Sequence, residues 1–126
     1  MKSMTILYVS DQNQSKDFYR NILDMEPGLH VPGMTEFHLS DSHILGLMPN
    51  EGIDRLLGGT MPSAAAACGI PRCEIYLMVD KVEECFERAV SCGAKILSNP
   101  AERNWGHFVA YTADPDGHIL AFAKQL

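Results

Sequence analysis

An α+β fold made of two βαβββ modules in tandem, each a curled mixed sheet with an outer helix, is what this chain predicts. Three observations carry that reading. Two apolar, partly β-branched stretches, 5–11 and 74–80, read as opening strands and stand about 70 residues apart, the offset of an internal repeat. Each leads into a segment with apolar residues at helical spacing and then into three shorter strand candidates. The chain closes on Phe108-Val109-Ala110-Tyr111-Thr112, an Asp114-Pro115-Asp116-Gly117 turn and a second apolar strand, which together spell a hairpin.

The first module, 4–48, opens with the strand 5–11. A helix over 15–25 follows because Phe18, Tyr19, Ile22 and Leu23 recur at its period, with Ser15 or a polar neighbour as N-cap and Pro27-Gly28 as the stop. Strands at 29–31, 35–39 and 43–48 are separated by Pro32-Gly33 and by Ser40-Asp41-Ser42. The second module, 73–124, opens with the strand 74–80. Its helix, 82–92, sets Val82, Cys85, Phe86, Ala89 and Val90 on one stripe, and Gly93 stops it. Strands at 95–98, 108–112 and 118–123 complete it. In the last turn Pro115 presets φ, Gly117 tolerates positive φ, and the Asp carboxylates can cap backbone amides.

Between the modules, the connector 49–71 carries Gly52, Gly58, Gly59, Pro62, an alanine run over 64–67 and Gly69. Residues 53–57 fit one helical turn. The length exceeds that of an ordinary loop, so a lid, a subunit-crossing arm, local disorder and a tolerated linker all stay open.

Composition narrows the function classes. The 126 residues suit a single domain over 1–126, and 46% hydrophobic with 21% charged residues is ordinary for a globular protein. No apolar run approaches the roughly 20 residues that span a bilayer, and the first residues lack the layout of a signal peptide. A net charge of −6 argues against nucleic-acid backbones and anionic membranes as partners. Cys68, Cys73, Cys85 and Cys92 include no Cys-x-x-Cys pair; Cys85 and Cys92 share a helix face and read as reduced core residues of a cytoplasmic protein. Gly58-Gly59-Thr60 lacks the Lys of a phosphate loop, and no local motif supports a Ser/His/Asp or Cys/His nucleophile.

Trp105-Gly106 ahead of the closing hairpin, its Asp-Pro-Asp-Gly turn and the doubled βαβββ order together resemble the vicinal oxygen chelate superfamily, over nearly the whole chain. That superfamily holds glyoxalase I, extradiol dioxygenases, fosfomycin-modifying enzymes and bleomycin-resistance proteins. The resemblance implies a glyoxalase/bleomycin-resistance fold whose sheets curl around a concave cavity, a site built by both modules, and a homodimer. Metal-dependent members carry a ligand five residues before the Val of each opening strand and one on each module's last strand. Those positions fall here on Met4, Glu74, Gly46 and Ala121. One carboxylate and three non-ligands do not make the three or four protein donors a divalent ion needs. The resemblance is therefore to the metal-free, bleomycin-resistance-like branch, with no cofactor expected and a divalent metal as the alternative.

Strand alternation supplies the candidate lining. Residues in phase with those four positions are Met4, Ile6 and Tyr8; Ile44, Gly46 and Met48; Glu74, Tyr76 and Met78; and Ile119, Ala121 and Ala123. Leu7, Val9, Leu45, Leu47, Ile75, Leu77, Val79, Leu120 and Phe122 fall on the helix side. From these, Met4, Ile6, Tyr8, Met48, Glu74, Tyr76, Met78, Trp105 and Ala121 are the expected ligand-binding residues, with no metal site. A closed core of Met and Tyr is the competing reading. Trp105 reads as a plug over the sheet edge or, by the resemblance, as a stacking wall at the pocket mouth, with Arg103 and Asn104 beside it for polar contacts. A Glu36, His38 and His43 cluster is a weaker metal candidate. The expected function is binding of a small organic molecule in an apolar cavity. The alternative is a lyase, isomerase or dioxygenase with Glu74 as catalytic base or in an atypical metal site.

Overall fold

The computed structural model describes residues 1–126. The elements run β1 (Ser3–Val9), α1 (Gln12–Leu23), β2 (Leu29–Val31), β3 (Met34–His38), β4 (His43–Pro49), α2 (Asn50–Leu57), a single 3-10 turn at Ala64–Ala67, β5 (Glu74–Met78), α3 (Val82–Ser91), β6 (Lys95–Glu102), β7 (His107–Ala113) and β8 (Ile119–Gln125). They form two compact units, Met1–Cys68 and Gly69–Leu126, each holding one four-stranded mixed sheet. The strand orders are β1-β4-β3-β2 and β5-β8-β7-β6, so each βαβββ module repeats the other's topology. In each, the first and last strands pair in parallel and the other pairs are antiparallel. A parallel pair needs a crossover, and α1 and α3 lie within those crossovers.

In the first unit, Leu7 and Val9 of β1, Phe37 of β3 and Leu45 and Leu47 of β4 are buried together with Phe18, Tyr19 and Ile22 of α1. Tyr19 bridges the layers, its ring 5.3 Å from Phe18 edge-on and 6.4 Å from Phe37. The helix begins earlier than its apolar spacing indicates. Asp11 is the N-cap, its carboxylate accepting from the Gln14 amide at 2.9 Å, and Ser15 lies buried within the helix. It also ends earlier, at Asp24, whose φ of 51° closes it in the left-handed conformation before Pro27 is reached. Gln12 at the helix start ties the β2–β3 turn, donating to the Val31 carbonyl and accepting from the Gly33 amide.

The connector is more ordered than its composition suggests. Helix α2 is two turns long rather than one, and Asp54 joins it to the 3-10 turn by accepting from Ser63 Oγ at 2.5 Å and from the Ala64 amide at 2.9 Å. Those two hydrogen bonds, the Ser63 one foremost, hold the Asp54 carboxyl below its ordinary range.

In the second unit, Val82, Phe86 and Ala89 of α3 are buried, as are Ala110, Leu120 and Phe122 of the sheet. Cys85 and Cys92 are partly buried thiols and Cys68 and Cys73 exposed ones, all unpaired. Strand β6 runs past 98 to Glu102, through Pro100, because two register shifts take up the irregularity on this edge strand. The closing turn is built as its residues indicate. Asp114 Oδ1 accepts from the Asp116 and His118 amides at 2.9 and 2.8 Å. Gly117 has φ +88°, and a Cβ there would lie 2.8 Å from the Gly69 backbone, so both conformation and space require glycine.

Candidate functional site

Each sheet has one face turned from its helix, and those two faces carry the expected lining residues. In the first unit β1 and β4 pair Met4 with Ile44, Ile6 with Gly46 and Tyr8 with Met48. The alternation is sharp: Leu7 and Val9 are 3% and 0% exposed, whereas Met4, Ile6 and Tyr8 are 38–40% exposed. Gly46 is buried beneath neighbours from both sides. A Cβ there would meet Ile6 Cγ1 at 3.2 Å and the Met4 and Met34 sulfurs at 3.3 Å each. The space a ligating side chain would need is filled by thioethers. Beyond it, Met48, Gly33, Gly52, Arg55 and Leu56 line an open depression of about 450 Å³.

The second face is aromatic and polar. Register places Glu74, Tyr76 and Met78 of β5 beside Ile119, Ala121 and Ala123 of β8, which in turn face Ala113, Tyr111 and Val109 of β7. Tyr76 and Tyr111 pack over Ala121, Ala123 and Val109, none of which has exposed surface. Ala121 is therefore a floor under two phenol rings and offers no surface for direct ligand contact, a correction to its place in the lining. Glu74 heads β5 in water, and Met78 is exposed beside a depression of about 340 Å³ that Asp80 and Lys124 also line.

Tyr76 is the hub. Its hydroxyl accepts a hydrogen bond from Trp105 Nε1 at 3.1 Å and lies 2.7 Å from His107 Nδ1. An indole N–H can only donate, so the phenol oxygen accepts there; the Tyr76–His107 hydrogen bond takes its direction from the His107 tautomer. The direction with the phenol donating to Nδ1 leaves the imidazole N–H on Nε2. The Tyr76 and His107 rings also lean together, 5.8 Å apart at 39°. Trp105 keeps 52% of its surface exposed, a broad apolar plane anchored by one polar atom.

Arg103 pins the far side. One guanidinium nitrogen donates to Ser98 Oγ at 2.9 Å and to the Asn99 and Val109 carbonyls at 3.0 and 2.9 Å, while its carbon stands 5.4 Å from the Tyr111 ring centre. Its Nε is buried with no partner. Burial foremost, then the negative charge of Glu74 and the neighbouring Tyr76, push the Tyr111 hydroxyl above its ordinary pKa; Arg103 opposes them.

The structure thus brings Tyr76 and Trp105 into direct contact and adds His107, Tyr111 and Arg103 around them. His107 and Tyr111 were absent from the sequence-derived lining because only the first and last strands of each module were phased. Extending the alternation along β7 from Ala113 would have found both, since His107, Val109, Tyr111 and Ala113 share a parity.

The family's metal positions do not fit a divalent ion. Gly46 and Ala121 are buried and carry no donor, and no group of three or more His, Cys, Asp or Glu side chains converges anywhere in the chain. Glu36, His38 and His43 do not gather. His43 is out of phase with Ile44, the partner of His38, and its two nitrogens lie 2.7 Å from Ser3 Oγ and 3.1 Å from Thr5 Oγ1. No helix is long and apolar enough to cross a membrane.

Comparison with known proteins agrees with the doubled βαβββ topology. Residues 3–122 match the model of the Glyoxalase/Bleomycin resistance protein/Dioxygenase superfamily. An uncharacterized protein of Mycobacterium bovis is 30% identical over 123 residues, covering 95% of this chain and 80% of its own length. An uncharacterized protein of Mycobacterium tuberculosis is also 30% identical, with 72% of its length covered. Among solved structures, a glyoxalase-related enzyme from Fulvimarina pelagi superposes with a TM-score of 0.84 at 21% identity, covering 99% of this chain and 88% of that one. A glyoxalase/bleomycin resistance protein/dioxygenase family enzyme from Burkholderia phytofirmans gives 0.80 at 16% identity, with 98% of both chains covered. With the doubled βαβββ topology and this match over all but the chain's ends, the protein belongs to the glyoxalase/bleomycin resistance protein/dioxygenase superfamily.

Proposed function

We propose that the protein is a metal-free binding member of its superfamily that holds a flat organic molecule on the aromatic face of its second module. The observation that carries this reading is the Trp105–Tyr76–His107 chain of hydrogen bonds on the aromatic sheet face. Buried polar groups cost free energy unless paired, and this network fixes a half-exposed indole in one orientation, as a stacking wall requires. Tyr111 and Arg103 extend the wall, and Glu74 supplies a carboxylate at one end for a cationic or hydrogen-bonding group. The face of the first module, with Met4, Ile6, Tyr8 and Met48, offers a second, softer apolar surface.

The family resemblance supports a homodimer, and the unpaired thiols support a reducing, cytoplasmic setting. The net charge of −6 supports a small-molecule partner over nucleic acid or an anionic membrane. A thermal-shift screen of EDTA-treated protein against planar metabolites and antibiotics tests the reading. A ligand should raise Tm without added metal, and Trp105→Ala should weaken its binding roughly tenfold. Stoichiometric Zn, Ni, Fe or Mn in the purified protein would overturn it. A Glu74→Gln variant with unchanged binding of every ligand found would remove Glu74 from the site.

A further inference from the structure

We infer that His107 is the specificity-determining donor of this face and that the molecule it selects is a planar, uncharged aryl carbonyl compound. The inference rests on the binding function proposed above and names the chemistry of its ligand.

Three facts point the same way. The Tyr76 hydroxyl accepts from Trp105 Nε1 and lies 2.7 Å from His107 Nδ1, and with the phenol donating to Nδ1 the imidazole N–H stands on Nε2. Nε2 has no partner within the chain and is not among the buried unsatisfied atoms, so it is open to solvent on a half-buried ring. The indole N–H and phenol are engaged with each other and the Arg103 Nη2 with three oxygens, while the Tyr111 hydroxyl stands four residues farther along β7. A molecule stacked on Trp105 meets the His107 donor beside its anchor, and a complementary ligand places an acceptor against it.

Charge selects among acceptors. Glu74 lies on the same sheet face, its field reaches Tyr111, and the whole chain carries −6. The Arg103 cation near Tyr111 opposes this but is committed to Ser98 and the Asn99 and Val109 carbonyls. A carboxylate ligand therefore meets the repulsion of Glu74 and the net charge, whereas a ketone or amide oxygen accepts the same hydrogen bond without it. The flat exposed indole and the tilted Tyr76 and His107 rings set the planar requirement.

Three naphthalenes of one shape separate the parts of this inference: 2-acetylnaphthalene has a neutral acceptor, 2-naphthoate a charged one, and naphthalene none. Trp105 is the only tryptophan, so quenching of its emission reports binding at this face. The expected order is acetylnaphthalene tightest, by about tenfold over naphthalene, the worth of one hydrogen bond. His107→Phe should abolish the preference for acetylnaphthalene over naphthalene. His107→Gln, which can return an N–H near the Nε2 position, should restore most of the preference.

In the wild-type protein, imidazole ¹⁵N spectra should show Nδ1 as the unprotonated nitrogen and Nε2 as the one that moves on adding acetylnaphthalene. This arm needs no variant to fold. Equal affinity for acetylnaphthalene and naphthalene, a preference that survives His107→Phe, or a protonated Nδ1 would overturn the donor assignment while leaving the binding face intact. Naphthoate binding tightest would overturn the neutral-ligand assignment. Failure of all three probes to quench Trp105 would overturn the binding face itself, and the inference with it.

Discussion

The two modules share a topology and differ in what they lay on their open faces. At equivalent places on their last strands stand Gly46 and Ala121, both buried, but covered by different chemistry. Gly46 lies under Ile6 and the sulfurs of Met4 and Met34. Ala121 lies under Tyr76 and Tyr111, and Tyr76 is locked to Trp105 and His107. Thioethers are unbranched and deform easily, so the first face is adaptable. Rings held by directional hydrogen bonds are pre-organised, so the second face is the more rigid one. One scaffold thus carries a soft surface and a rigid one, and the difference lies in a few in-phase residues rather than in the fold.

The comparison can be broken at several strengths. The largest effects lie beneath the faces, where the modules should respond alike. Phe37→Ala in the first unit and Phe122→Ala in the second each remove a ring with at most 1% exposure and should cost about 3–5 kcal/mol in urea unfolding. A marked inequality would show that one module's core dominates.

The glycines should respond differently. Gly117→Ala combines a positive φ with a backbone approach of 2.8 Å and should destabilise by about 3 kcal/mol. Gly46→Ala presses on methionine sulfurs at 3.3 Å that can turn aside, so about 1 kcal/mol is expected from the same urea titration. Equal losses would contradict the adaptable character of the first face.

Tyr76→Phe tests the locked face. It deletes two hydrogen bonds and should cost about 1–2 kcal/mol while changing Trp105 emission, because the indole loses its anchor.

The smallest differences appear with pH and carry opposite signs. Tyr111 has its pKa raised above 10.0 in the fold, so its contribution is intact below pH 10 and is lost as pH rises through the folded value. Tyr111→Phe should flatten that alkaline decline in an unfolding series. Asp54 in the first unit is lowered below 3.8, so its contribution is present above that pH and is lost as pH falls through the folded value. Asp54→Asn should flatten the acid limb instead.

Much of this was legible in the sequence, for physical reasons. Strand alternation separates Leu7 and Val9 from Met4, Ile6 and Tyr8 because one sheet face must be buried and the other need not be. The Asp114-Gly117 turn is legible because its chemistry is local. The start of α1 was less so: Asp11 and Ser15 are both competent caps, and only the fold buries one and frees the other. The span of β6 was hidden by Pro100, which an edge strand with register shifts tolerates. At the site, Tyr76 and Trp105 stood out by residue type, but their bond to each other joins positions 76 and 105 through the pairing of three strands. His107 was within reach of alternation along β7, whereas the Arg103 contacts with Ser98, Asn99 and Val109 come from the β6–β7 edge, which no local pattern encodes.

The most direct test of the second face is the Trp105 indole N–H resonance, a single ¹H–¹⁵N peak because the chain has one tryptophan. On titration of EDTA-treated protein with 2-acetylnaphthalene, that peak should shift saturably, together with the His107 ring signals. Saturation elsewhere in the spectrum with the Trp105 and His107 signals unmoved would contradict the assignment of ligand binding to the Trp105–Tyr76–His107 face.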